Sequence, residues 1–114
     1  LIGKWQNEKN TGWHRVFMSE TVKLENDSAD YSGYKWGKEW HEDEGVYEDD
    51  LTDYGNGWFM WKKTGKDLFE IEFMEYDFAR IPQENTITLL NDTRLEFTAQ
   101  DGRKYQFNKV VSPK

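Results

Sequence analysis

The sequence contains no cysteine, which excludes disulfides, thiol nucleophiles and thiolate metal sites. It has two prolines and two histidines. His14 and His41 stand far apart in the chain, and the serines lie in loops or on a strand without a nucleophile-elbow context. No apolar run approaches the roughly 20 residues that a membrane-spanning helix needs. Aliphatic residues are few, and no stretch keeps helical period long enough for a substantial helix. Positive charge is in deficit, with 15 Lys and Arg against 22 Asp and Glu, for a net charge of −7. An acidic surface repels phosphate backbones, so nucleic acid is not an expected partner.

What fills the chain instead is rings. Six Trp, six Tyr and seven Phe make up 17% of 114 residues, so the interior is built from aromatic rather than aliphatic volume. The length fits one domain, residues 1–114, with enough chain for a core of its own. The clearest pattern runs from Asn85 to Val110. Ile87 and Leu89 alternate with threonines, Leu95 and Phe97 with Arg94, Glu96 and Thr98, and Tyr105 and Phe107 with Lys104, Gln106 and Asn108. Alternation of period two marks strands with one buried face. The Asn91-Asp92 and Asp101-Gly102 steps between them are hairpin turns, because these residues tolerate the positive φ that tight turns need.

The same reading places earlier strands at 1–8, 13–19, 31–40, 58–63 and 68–74. In the second, Trp13, Arg15 and Phe17 share one side and His14, Val16 and Met18 the other, so its facing stays open. Val22 and Leu24 can extend a hairpin before a turn at 26–28. Gly33 and Gly37 interrupt the third strand, where glycine marks a bulge or a barrel corner. Residues 41–56, dense in carboxylates, form a long loop with one short helical turn around 47–54. Residues 76–82 are a connection punctuated by Pro82.

Eight strands joined mostly by short hairpins pair with their sequence neighbours. The expected fold is all-β: a single-domain, eight-stranded antiparallel up-and-down meander barrel. A two-sheet sandwich is the alternative. The inward set by alternation is Phe17, Phe59, Trp61, Phe69, Ile71, Phe73, Ile87, Leu89, Leu95, Phe97, Tyr105 and Phe107.

Gly3-Lys4-Trp5, preceded by two aliphatics, resembles the Gly-x-Trp signature on the first strand of lipocalins. Its company extends the likeness: YSGYKWG, the acidic loop, the Phe59-Met60-Trp61 strand, Leu68-Phe69-Glu70-Ile71, ITLLNDTRLEF, and Asp101-Gly102 leading to Tyr105–Val110. This order, over nearly the whole chain, looks like the lipocalin-like domain proteins exported by gut-dwelling Bacteroidetes, many of them lipoproteins. The second strand departs from that pattern, with Met18-Ser19-Glu20 where an Asp-Gly turn is usual. The resemblance implies a calycin-type barrel, a periplasmic or outer-membrane-surface location, an export signal and, as in the lipoproteins of that group, a lipid-anchoring cysteine upstream of Leu1, and binding rather than catalysis.

The candidate ligand-binding residues are Trp13, Tyr31, Tyr34, Trp36, Trp40 and Trp58. Their flat apolar faces and hydrogen-bonding tips suit a half-wet pocket for a small apolar or amphipathic molecule. The plain alternative is that such rings fill the core of an aliphatic-poor protein. Gly3 and Trp5 have a structural reading, Trp5 plugging the closed end of the barrel. The acidic loop lacks the Asp-x-Asp-x-Asp-Gly grammar of a calcium loop. It reads as a solvated segment that repels anions or receives a basic partner. No catalytic residue, cofactor or metal is assigned. Asp27-Ser28-Ala29 resembles the short O-glycosylation acceptor of exported proteins in that bacterial group; its plain reading is a polar turn. Two functions are carried forward. One is an exported ligand-binding barrel. The other is a solid barrel acting as an interaction or inhibitor module through loop 41–56.

Overall fold

The computed structural model describes residues 1–23, 33–51, 57–73 and 82–111. Eight strands follow in order: β1 Gly3–Asn7, β2 Trp13–Thr21, β3 Lys35–His41, β4 Trp58–Gly65, β5 Leu68–Phe73, β6 Gln83–Leu90, β7 Arg94–Thr98 and β8 Lys104–Lys109. Each pairs antiparallel with its sequence neighbours, and β1 closes on β8 through Trp5 opposite Lys109 and Asn7 opposite Phe107. One continuous sheet, closed on itself, replaces the sandwich alternative. Closure leaves no strand edge exposed.

The inside of the barrel is aromatic. Phe17 meets Phe59 at 5.4 Å and Trp61 at 5.3 Å, both edge-on. Phe69 meets Phe97 edge-on at 5.3 Å, and Phe97 stacks on Phe107 at 5.8 Å. Offset and edge-on rings are the favoured geometry, because positive ring edges meet negative faces. Gly37 faces inward opposite Phe59, and a Cβ there would overlap the Phe59 ring. This glycine is therefore the space that one ring occupies. Trp61 donates its indole N–H to the Trp36 carbonyl at 3.0 Å, so its burial leaves no polar group unpaired.

All of the inward set except Leu89 belongs to this core or packs against it. Leu89 is 37% exposed. The cause is a bulge in β6: Ile87 lies opposite Phe97 but Leu89 lies opposite Glu96, so Thr88 is an extra residue. One inserted residue turns the following side chains to the other face. A second bulge in β2, between Phe17 and Thr21, accompanies the extension of that strand beyond residue 19. Val22 then donates its N–H to the Tyr34 carbonyl at 2.9 Å, the hairpin extension expected of it.

β3 begins at Lys35 rather than 31. The acidic loop holds two short 3-10 turns, Glu42–Glu44 and Glu48–Asp50, instead of one. Leu24, Tyr31, Asp27-Ser28-Ala29 and the 76–81 connection lie outside the described residues.

The base of the barrel, at the β1 start, is sealed by its own residues. Trp5 is buried, and its indole N–H donates to the Leu1 carbonyl at 2.8 Å. The Lys109 ammonium lies 4.7 Å from the Trp5 ring centroid and donates to the Ile2 carbonyl at 2.8 Å. Gly3 has φ 137°, and a Cβ on it would occupy the place of that ammonium. The opposite end carries the turns 8–12 and 99–103 and the acidic segment 42–51.

Candidate functional site

The open end of the barrel holds a cavity of about 480 Å³. An eight-stranded barrel is just wide enough for packed side chains or one small ligand; here the rings fill the base and leave the mouth. The cavity wall includes Trp13, Phe73, Phe97 and Tyr105, with Arg15 and Asn85 among its polar groups. The walls come from β2, β5, β6, β7 and β8, because alternate residues of each strand point inward.

Arg15 is the unusual member. It lies on the inward side of β2 between Trp13 and Phe17, and its side chain is only 11% exposed. Its guanidinium carbon sits 5.0 Å from the Trp13 ring, 5.7 Å from Phe73, 5.8 Å from Phe107 and 5.9 Å from Phe97. Nε donates to Glu39 Oε1 at 2.7 Å. Trp13 Nε1 donates to the same oxygen at 2.5 Å. Glu39, 15% exposed, lies directly across from Arg15 in the β2–β3 register. A buried charge survives only when paired and hydrogen-bonded. The ion pair and the cation–π faces together hold this one. Trp13 is fixed by the carboxylate, by stacking on His41 at 5.4 Å and by edge contacts to Tyr105 and Phe107.

Of the five candidate ligand-binding residues that are described, only Trp13 lines this cavity. Tyr31 is outside the described residues. Tyr34 and Trp36 join Val22 and Met60 in a second cluster, with Trp58 packed against it. Trp36 lies opposite Met60, one residue out of phase with inward Gly37 and Phe59, so this cluster is on the outer face. Trp36 meets Trp58 edge-on at 5.6 Å, and Trp58 donates its N–H to the Leu51 carbonyl at 3.1 Å. The expectation that these rings share one pocket is thus corrected: β4 carries large apolar groups on both faces, Phe59 and Trp61 inward and Trp58 and Met60 outward, and β3 turns Trp36 outward against Met60. The cavity residues that the alternation did not single out as a site are Arg15, Phe73, Asn85, Phe97 and Tyr105. The usable signal was the shared parity of Arg15 with Phe17.

Trp40 also faces outward, stacked on His14 at 5.0 Å and approached by the Lys4 ammonium at 5.1 Å. The buried His14 Nδ1 has no hydrogen-bond partner among the described residues; Glu42 Oε1 is 4.0 Å away. Burial pushes the His14 imidazole below its ordinary pKa, and Lys4 adds to this while Glu42 and Glu48 oppose it. Lys4 also approaches Glu48 at 3.8 Å, so the second acidic turn has a cationic neighbour on this wall. Among the described residues, no group of three or more His, Asp or Glu could hold a metal ion. No helix of the described residues is long and apolar enough to cross a membrane.

Fold and site together define an eight-stranded up-and-down β-barrel, consistent with a calycin-like fold, with a plugged base and an aromatic mouth. Comparison with protein families, curated proteins and solved structures finds no match to this chain.

Proposed function

We propose that the chain is an exported, non-catalytic binding protein of lipocalin-like type. It holds one small apolar or amphipathic molecule in the mouth of the barrel. The observation that carries this reading is the cavity of about 480 Å³ whose wall joins the rings of Trp13, Phe73, Phe97 and Tyr105 to the polar groups of Arg15, Gln83, Asn85, Gln100 and Asp101. Ligand pockets are typically concave, mostly apolar and about 300–1,000 Å³, with few polar groups fixing orientation. Export to the periplasm or outer-membrane surface rests on the Gly3-Lys4-Trp5 signature and the order of segments after it. The test is native mass spectrometry of the purified protein, with organic extraction of anything bound and a panel of fatty acids, bile salts and simple glycans. A co-purified amphiphile, or a one-to-one adduct with a panel member, supports the reading. A clean mass with no adduct across the panel overturns it.

The second reading is a protein-interaction or inhibitor module acting through loop 41–56. It is favoured by the ring-filled base and by the exposed carboxylates of Glu42–Glu44 and Glu48–Asp50. On that reading, neutralising Glu42, Asp43 and Glu44 abolishes capture of a basic protein partner and leaves the melting temperature unchanged.

A further inference from the structure

We infer that the cavity selects anionic amphiphiles, with Arg15 receiving a carboxylate or sulfonate head group while the ring wall takes the apolar body. This deepens the ligand-binding reading and rests on it. The argument begins with donor accounting. A guanidinium carries five N–H groups. In Arg15 the Nε–H is committed to Glu39, and Nη1 and Nη2 make no hydrogen bond to any described residue. Arg15 is nevertheless largely buried and lines the cavity. The two Nη groups are therefore open to the cavity, and their fork matches the two oxygens of a carboxylate.

Glu39 does not cancel this preference. Its Oε1 already accepts from both Trp13 and Arg15, and it is not among the cavity-lining residues. The pair therefore shows its cationic side to the cavity and keeps its anionic side in the wall. Asn85, also buried and lining the cavity, donates one amide N–H to the Gln83 carbonyl at 3.1 Å and retains a second. Among the described residues, the one carboxylate that lines the cavity is Asp101, which Arg103 approaches at 3.6 Å on the exposed rim. Trp13, Phe73, Phe97 and Phe107 surround the guanidinium, their ring centroids within 5.9 Å of its carbon. In that setting a charge-assisted contact is screened far less than at the surface.

The test compares three molecules with one body and three heads: naphthoate, naphthalenemethanol and naphthylmethylammonium. Each is titrated calorimetrically into the intact chain, into Arg15→Gln, and into the double variant Arg15→Gln with Glu39→Gln. The double variant removes both members of the pair, so no buried charge is left alone and the fold is kept; a cooperative melt confirms it. Wild type is expected to bind naphthoate about tenfold or more above the alcohol, with the ammonium weakest. In the folded double variant the ratio falls towards one and the alcohol keeps its affinity. Equal binding of acid and alcohol by wild type overturns the head-group assignment alone, leaving the cavity as an apolar site. So does a preference for the acid that survives in the double variant, or a preference for the ammonium. Binding of none of the three overturns the cavity reading itself and this inference with it.

Discussion

Trp5 shows what a single side chain does in this barrel. Its ring closes the base, its N–H is spent on Leu1, and the Lys109 ammonium covers its face. Trp5→Ala removes a buried ring that the rigid strands cannot collapse around. The expected loss is about 3–5 kcal/mol, read as a lower midpoint in guanidinium chloride; an unchanged midpoint would remove Trp5 from the core. His14 gives a pH dependence. Its folded pKa lies below the ordinary 6.5, so the unfolded chain binds a proton that the folded chain refuses. Stability from this group is complete above the unfolded value and falls as pH drops through 6.5 towards the folded value. Thermal melts between about pH 7.5 and about pH 5.5 should show a fall that His14→Gln reduces. An identical slope in the variant would assign the fall to other groups. At this scale the sequence was legible wherever alternation had one large side chain per pair, as at Phe69 and Ile71. It was not legible at Arg15. An arginine between rings leaves the facing of β2 open, and only tertiary closure brings Glu39 and the rings around it.

Strands were legible as elements because turn chemistry and period two are local. Asp101-Gly102 and Asn91-Asp92 mark the last two hairpins whatever the rest of the chain does. Facing was legible only for strands with one apolar side. β4 buries large apolar groups on both faces, Phe59 and Trp61 inward and Met60 outward against Trp36 of β3, and period two cannot rank two apolar sides. The β6 bulge was hidden for a related reason: ITLL continues the alternation that the barrel then interrupts at Thr88. This makes a deletion test. Removing Thr88 deletes the unpaired residue and leaves Ile87 opposite Phe97 and Leu89 opposite Glu96. Removing Glu96 from bulge-free β7 brings Leu95 and Phe97 side by side, so one buried side chain must turn outward. Deletion of Thr88 should keep a cooperative melt with the smaller loss. Deletion of Glu96 should cost several kcal/mol, about that of a large core truncation. Equal losses would show that the bulge is required for closure.

The whole molecule is a ring of neighbour pairings with one exception. Seven of the contacts around the barrel join consecutive strands; the eighth joins β1 to β8, at opposite ends of the sequence. Space treats all eight alike, but time does not. Hairpins need short loops, whereas the β1–β8 seam closes the longest loop the chain offers and is rewarded only after the others have curved. The seam should therefore be the last part to form and the first to open. Trp5→Phe, on the β1 side of it, is expected to speed unfolding in stopped-flow measurements and leave the refolding rate nearly unchanged. A refolding rate slowed in proportion to the stability loss would place the seam in the nucleus instead. The barrel that looks seamless in cross-section thus has a clasp, and the lifetime of the folded state is the lifetime of that clasp.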